Sequence, residues 1–84
     1  MNEADRPAVL EKLTAIIRKQ LPRATGALDA TTTAGDVPGW DSLSHVQIIL
    51  AVERAFKFRI RTTEMARLDN LGALVDVIIA RGTA

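Results

Sequence analysis

The segment SLSHVQIILAVERAF, residues 42–56, limits the possible folds of this chain more than any other stretch. No glycine or proline interrupts it, and its apolar residues fall on two sides of a helix, with spacings i, i+4, i+8 and i, i+3, i+7. The first side holds Ile48, Val52 and Phe56, and the second holds Leu43, Val46 and Leu50. One apolar stripe is enough for a helix at the surface of a small bundle. The second stripe predicts either a central helix that others surround or a face left exposed for partners.

An amphipathic helix is predicted before this segment, over residues 7–21, because Val9, Leu13 and Ile16 repeat at helical spacing. The connection from 22 to 40 shows little periodicity and contains Gly, Pro and a run of Thr. Loops of this length inside compact domains are usually functional or disordered.

Two further helices are predicted after the central segment. The sequence FKFRIR, residues 56–61, alternates apolar and basic residues like a strand. Because it has no second strand to pair with, we expect an extended connector there. A short third helix is expected through EMAR with Thr62 or Thr63 as its cap, and Asp69 or Asn70 is the expected cap of a fourth helix.

These elements predict an all-α four-helix bundle, with three main helices, one short helix and a long loop between the first and second helices. With 84 residues, one domain over positions 1–84 is expected. The lack of cysteine excludes disulfides and thiolate metal sites. The sequence shows neither a signal peptide nor an apolar run of membrane-spanning length, so we expect a cytoplasmic protein without membrane insertion.

Charge is nearly balanced overall but uneven along the chain. The formal net charge is +1, from 11 Lys+Arg and 10 Asp+Glu, and gives no indication of nucleic-acid binding. Residues 24–41 carry aspartates and no basic residue, whereas residues 54–67 carry arginine and lysine against Glu64 alone. The basic stretch is either a solvated face or a docking surface, and the sequence leaves both interpretations open.

Asp41, Ser42 and His45 lie close enough in sequence to suggest a hydrolase. Ser42 and His45 are three residues apart and would be neighbours on a helix. The G-x-S-x-G elbow is absent, however, and so small a bundle is poorly suited to enclosing a substrate. We therefore predict no catalytic residue and expect His45 to be a surface or partly packed side chain. With no second ligand at a suitable spacing, His45 predicts no metal site.

The stretch GWDSLSHVQIILAVERAFKFRI resembles the core of an acyl carrier protein. In that family an Asp-Ser-Leu triplet opens the second helix, and a Glu, a Phe and an Ile follow downstream. The corresponding residues here are Asp41, Ser42, Leu43, Glu53, Phe56 and Ile60. The later LDNLGALVDVI, residues 68–78, resembles the last helix of the family, so the likeness extends over residues 35–80.

This resemblance implies that Ser42 is the attachment point for 4'-phosphopantetheine, transferred from coenzyme A by a phosphopantetheinyl transferase. Asp41 and Leu43 would flank the arm and take part in recognition. The thiol of the arm would hold an acyl group as a thioester in fatty-acid, polyketide or specialised lipid biosynthesis, so the protein itself would need no cysteine. Ser44 does not match the triplet position and is not expected to be modified.

The resemblance also implies that the second helix docks onto partner enzymes, here through Val46, Gln47, Leu50 and Arg54. Family members are typically acidic on this helix, whereas this chain has Glu53 alone there. Because charge complementarity selects partners, we predict a specialised, monomeric carrier whose acyl-loading and acyl-using enzymes serve a dedicated pathway and present an apolar or acidic face. Two alternatives stay open: a peptidyl or aminoacyl carrier, and a helical interaction domain that is never modified.

Overall fold

The computed structural model describes residues 2–24, 26–65 and 67–82, and this part of the chain contains helices but no strand. The four α-helices are α1, Arg6–Gln20; α2, Ser42–Phe56; α3, Thr62–Met65; and α4, Leu71–Arg81. Two 3-10 turns, Glu3–Asp5 and Ala34–Asp36, precede α1 and α2. None of the helices described is long and apolar enough to cross a membrane. The predicted all-α bundle of three main helices and one short helix is confirmed.

α2 packs one side into the bundle and leaves the other side in water. All three residues of the first predicted side are at most 1% exposed. The second side faces solvent, with Leu43 68% exposed, Val46 48% and Leu50 45%. Of the two interpretations that the sequence left open, the structure therefore supports a helix with one exposed apolar face.

The buried side of α2 packs against α1, and α1 also packs against α4. α1 contributes residues spaced i, i+4, i+8, which bring Val9, Leu13 and Ile17 onto one stripe. α4 is shorter and more completely buried, and its core residues are Leu71, Leu74, Val75, Ile78 and Ile79. Burial of these aliphatic side chains is the main stabilising contribution in a bundle of this size.

The long loop between α1 and α2 is tied to the first turn of α4 through backbone hydrogen bonds. The Leu71 N–H donates to the Thr32 carbonyl at 2.9 Å, and the Gly72 N–H donates to the Ala30 carbonyl at 2.8 Å. These bonds satisfy N–H groups that a helix start otherwise leaves unpaired. Glycine is needed at position 72 because a Cβ there would lie 2.9 Å from the Ala30 carbonyl oxygen.

The same loop is also anchored to the end of α1. The Arg18 guanidinium donates to the carbonyl of Ala24 at 2.6 Å and to that of Gly26 at 3.0 Å. Val37 then enters the core and is 5% exposed. The loop is consequently held at three places, and it delivers the chain to the start of α2 in a defined position.

The connector after α2 begins with a lysine in an unusual backbone conformation. Lys57 ends α2 with φ 57° and ψ 51°, the left-handed region that favours glycine. Beyond it Phe58 is partly buried and Ile60 is buried, as expected for an extended connector with inward apolar residues. Glu53 holds this connector against α2, because its Oε2 accepts a hydrogen bond from the Ile60 N–H at 2.7 Å.

Several predicted helix ends need correction. α1 begins and ends one residue earlier than predicted. The prediction that Thr62 or Thr63 caps α3 is wrong, since both lie inside that helix and the Arg61 N–H before it donates to Glu64 Oε1 at 2.8 Å. α3 ends at Met65, and the next residue of the predicted EMAR helix lies outside the described residues.

The cap of α4 is Asn70 rather than Asp69. The Asn70 side chain accepts a hydrogen bond from the Ala73 N–H at 2.8 Å, which is the geometry of an N-cap. This one contact therefore shows which of the two candidate caps, Asp69 and Asn70, begins α4.

Truncation of α2 should affect stability very differently on its two sides. Ile48→Ala removes a fully buried side chain and should lower the free energy of unfolding by about 2–5 kcal/mol, because the cavity cannot fully collapse. Leu50→Ala, in the same helix but on the exposed side, should change it by less than about 0.5 kcal/mol. Urea denaturation of the two variants and the parent chain measures the difference; equal losses would contradict the assigned orientation of α2.

Candidate functional site

The junction between the loop and α2 is organised by the side chain of Asp41. Its backbone is extended, and its Oδ1 accepts a hydrogen bond from the Ser44 N–H at 2.8 Å. This is the geometry of an N-cap, and it satisfies one of the unpaired N–H groups of the first helical turn. The hydrogen bond from the Ser44 N–H lowers the pKa of the Asp41 carboxyl below its ordinary value, so the cap is ionised at neutral pH.

Ser42 and Ser44 have different environments although they are only two residues apart. The Ser44 hydroxyl donates to the Gly39 carbonyl at 3.0 Å, so this side chain is part of the junction itself. Ser42 is the first residue of α2 and is exposed, and its hydroxyl has no hydrogen-bond partner among the described residues. Gly39 adopts φ 86°, a conformation that few other residues accept, which allows the tight approach to α2.

His45 is engaged by Trp40 rather than by Ser42 or Asp41. The Trp40 indole N–H donates to His45 Nδ1 at 3.1 Å, and the two ring centroids are 6.0 Å apart. Since Nδ1 accepts this bond, it cannot donate a proton to a carboxylate as a charge-relay histidine does. Asp41 is already bonded to the helix start. The structure thus brings the three residues of the suggested hydrolase near each other without assembling a relay.

The Trp40–His45 pair lines both an outer depression and a small, partly open void. The depression is open to solvent and is lined by Ala34, Trp40, Asp41, Ser42 and His45. The void holds about 30 Å³, and Trp40 and His45 line it together with residues of the loop and of α4. Ser42 therefore stands at the edge of a shallow site whose inner wall is aromatic.

The exposed face of α2 starts next to Ser42 and runs along the helix. We define this exposed face as Leu43, Val46, Gln47, Leu50 and Arg54, all of them exposed. Each residue of a helix turns by about 100°, so these five lie within an arc of about 100°. Sequence reasoning therefore grouped residues that do share one surface, and Leu43 belongs to it as well as to the triplet.

Sequence reasoning missed two contacts of the site. The Trp40–His45 hydrogen bond joins residues five apart across a helix start, a spacing that no periodicity predicts. The other is the role of Ser44 as part of the helix start. The signal for it was available, because the third residue after an Asp cap is a usual donor to that cap.

Comparisons with known proteins bear on this site directly. A family model described as "Phosphopantetheine attachment site" matches residues 11–78. A solved structure, the solution NMR structure of the holo acyl carrier protein from Geobacter metallireducens, is similar with a TM-score of 0.80 and 33% sequence identity. The similarity covers 87% of this chain and 84% of that one. No curated protein sequence matches the chain.

Removal of the Asp41 cap should destabilise the chain in a pH-dependent way. Asp41→Ala should lower the free energy of unfolding at neutral pH, whereas Asp41→Asn should retain most of it because an amide oxygen can still accept from the Ser44 N–H. The pKa of Asp41 is lowered in the folded chain, so its ionised form contributes stability above the unfolded pKa and loses it as pH falls through the folded pKa.

The penalty of Asp41→Ala should therefore be largest at neutral pH and should shrink below about pH 4. Urea denaturation at several pH values measures it, with Asp69→Ala as the control, since Asp69 is exposed and its carboxylate forms no hydrogen bond or ion pair in the described part of the chain. A penalty that is constant from neutral to acid pH would contradict an ionised cap.

Proposed function

The chain belongs to the phosphopantetheine attachment family as an acyl carrier protein with a covalent 4'-phosphopantetheine, and from this premise we propose that Ser42 is the residue that carries the group. The observation that carries the proposal is the exposed Ser42 hydroxyl, which has no internal hydrogen bond among the described residues and lies at the first position of α2. The hydroxyl of the nearby Ser44, by contrast, donates a hydrogen bond to the Gly39 carbonyl.

The surroundings of Ser42 fit a phosphodiester. The first turn of a helix presents N–H groups and the positive end of the helix dipole, which favour an anion. The cap hydrogen bond runs from Ser44 to Asp41 and does not involve the Ser42 side chain, so modification of Ser42 leaves the helix start intact. The depression beside it is open, and a transferase can reach the hydroxyl without any movement of the core.

The attachment reaction is a phosphoryl-group substitution. The Ser42 Oγ–P bond forms, the pyrophosphate bond of coenzyme A breaks, the hydroxyl proton passes to a base of the transferase, and adenosine 3',5'-bisphosphate leaves. The role of this chain is to hold the hydroxyl at the helix start and to expose it. When bound, the group supplies a thiol that holds an acyl chain as a thioester, chemistry that the chain cannot supply itself because it has no cysteine.

We further propose that the acyl groups belong to fatty-acid, polyketide or specialised lipid biosynthesis in the cytoplasm, and that the carrier acts as a monomer. Its proposed partners are a phosphopantetheinyl transferase and the acyl-loading and acyl-using enzymes of one pathway. Asp41 and Leu43 flank the attachment point, and Val46, Gln47, Leu50 and Arg54 form the proposed docking surface. Support comes from the exposure of these four residues on the side of α2 that continues from Leu43.

Attachment at Ser42 is tested by intact mass. Incubation with coenzyme A and a broad-specificity phosphopantetheinyl transferase should add a single phosphopantetheinyl group to the parent chain and none to Ser42→Ala. Ser44→Ala is the matched control and should still be modified, since its hydroxyl serves the helix junction. An adduct that persists in Ser42→Ala would overturn the assignment. No adduct on the parent chain would favour an unmodified interaction domain.

Modification should also be visible through Trp40, the single tryptophan of the chain. Trp40 lines the same depression as Ser42, so a group attached there should change the intensity or wavelength of its emission. The signal should change during the transferase reaction with the parent chain and stay constant with Ser42→Ala. Emission that is unaltered in a fully modified sample would show that the attached group projects away from this depression.

A further inference from the structure

The exposed face of α2 ends in an open cleft between the last turns of the helix and the connector that follows. The cleft holds about 520 Å³ and is lined by Leu50, Glu53, Arg54, Lys57, Phe58 and Arg59, which we call the basic cleft. Leu50 and Phe58 supply its apolar surface, and the Arg81 guanidinium lies 5.7 Å from the centroid of the Phe58 ring. It thus combines an apolar contact surface with several cations.

The cations of the basic cleft are not neutralised within the chain. Arg54, Lys57 and Arg59 form no salt bridge with any acidic group in the described segments. Glu53, the one acid that lines the cleft, uses Oε2 to accept from the Ile60 N–H. By contrast, Arg6 pairs with Glu3 and Asp76, and Arg81 pairs with Glu64. The cleft therefore presents three cations against the single negative charge of Glu53, beside an apolar contact area.

Lys57, which lines the cleft, has a backbone conformation that is unfavourable for a residue with a side chain. Its φ of 57° places a side chain where helices commonly end in glycine. Residues held in unfavourable backbone regions are concentrated at sites that have another use for the side chain. Lys57 also interacts with the negative end of the α2 dipole, so the two explanations, fold stability and partner binding, need to be separated by experiment.

The two ends of α2 carry charge of opposite sign. Its start lies beside Asp36 and Asp41, in a stretch without basic residues, and its end carries Arg54 and Lys57. A uniformly anionic surface, such as a membrane or a nucleic acid, would be attracted at one end and repelled at the other. A protein with a single acidic patch can pair with the basic end of α2 without placing negative charge against its acidic start.

We propose that the basic cleft, together with the exposed face of α2, is the docking seat for an acidic patch on the enzymes that load or use the acyl group. An apolar side chain of the partner contacts Leu50 and Phe58, and its carboxylates pair with Arg54, Lys57 and Arg59. This rests on the proposed function, because it assumes that the partner must also reach Ser42. The rise of a helix puts Arg54 about 18 Å along α2 from Ser42, so the acidic patch lies at about that distance from the entrance of the partner's active site.

The proposal is tested with two synthetic helical peptides and the full-length chain. One peptide has leucines spaced i, i+4, i+7 flanked by glutamates, and the other has each glutamate replaced by lysine. Backbone amide shifts in NMR spectra should locate the glutamate peptide at residues 50–59, and its affinity should fall as salt rises from about 50 to about 500 mM. The lysine peptide should cause no shifts there. Equal binding of both peptides would overturn the proposal.

Charge reversal identifies the residues responsible. The triple change Arg54→Glu, Lys57→Glu and Arg59→Glu should weaken binding of the glutamate peptide by about tenfold or more. Lys19→Glu with Arg23→Glu and Arg67→Glu is the matched control, because all three are exposed cations outside the cleft and their reversal changes the net charge by the same amount. It should bind like the parent chain. An equal loss in the control would mean that net charge, rather than the cleft, attracts the peptide.

Lys57→Gly separates partner binding from fold stability. Glycine relieves the left-handed backbone, so this variant should unfold at a higher urea concentration while it binds the glutamate peptide about two- to threefold more weakly. A variant that is less stable and binds normally would assign Lys57 to the helix end alone and remove it from the docking seat.

Vesicles of phosphatidylcholine with phosphatidylglycerol test the competing class of partner. The parent chain should not co-sediment with them; co-sedimentation that is lost in the triple variant would overturn the proposal in favour of a lipid surface. Peptide binding is measured on the unmodified chain, whereas attachment at Ser42 is measured by intact mass. The two experiments are independent, so the failure of one proposal can be told from the failure of the other. Modification without a preference for the glutamate peptide would contradict only the docking seat. The reverse result would contradict the attachment site, and with it the identity of the partner as an acyl-loading or acyl-using enzyme, while the cleft would remain a binding site for acidic surfaces.

Discussion

Burial of one side of α2 is the interaction on which the rest of the molecule depends. Ile48, Val52 and Phe56 are almost completely removed from water, and α1 packs against that side. The buried residues of the described part of the chain form a single core cluster, so no second core there compensates for its loss. The orientation of α2 that this burial enforces also decides which residues face outward. The position of Ser42 and the exposed face are therefore consequences of the same packing that stabilises the bundle.

The start of α2 is determined by polar contacts rather than by apolar burial. The loop before it is bonded through Ala30 and Thr32 to the first turn of α4, and Asp41 then caps α2 by accepting from the Ser44 N–H. Each of these bonds satisfies an N–H group that a helix start would leave unpaired. A hydroxyl that must be reached by another enzyme needs a fixed position without enclosure. A capped helix start on a tethered loop meets both conditions, because it is rigid and lies at the surface.

Much of this could be predicted from the sequence, and what could not has physical reasons. Helical periodicity predicted α1 and α2 to within one residue, since apolar spacing reports which side is buried. Periodicity could not show whether other helices cover the side of α2 that holds Leu43 and Leu50, because a buried and an exposed apolar stripe have the same spacing. The sequence also could not predict contacts between separate elements. The hydrogen bond from the Ile60 N–H to the Glu53 carboxylate forms only once the connector has folded back on α2, and the same is true of the basic cleft.

The separation of the two sides of α2 also supports the proposal of a dedicated partner. Leu43, Val46 and Leu50 contribute little to the core, since each keeps about half or more of its surface in water. Arg54 and Lys57 form no salt bridge with an acid in the described part of the chain, so the bundle does not rely on them for ion pairing. Substitutions on this side consequently change the proposed docking surface at little cost in folding free energy. In the proposed docking mode, the basic end of α2 repels an enzyme with basic residues at that position, while the buried side of α2 keeps the family fold.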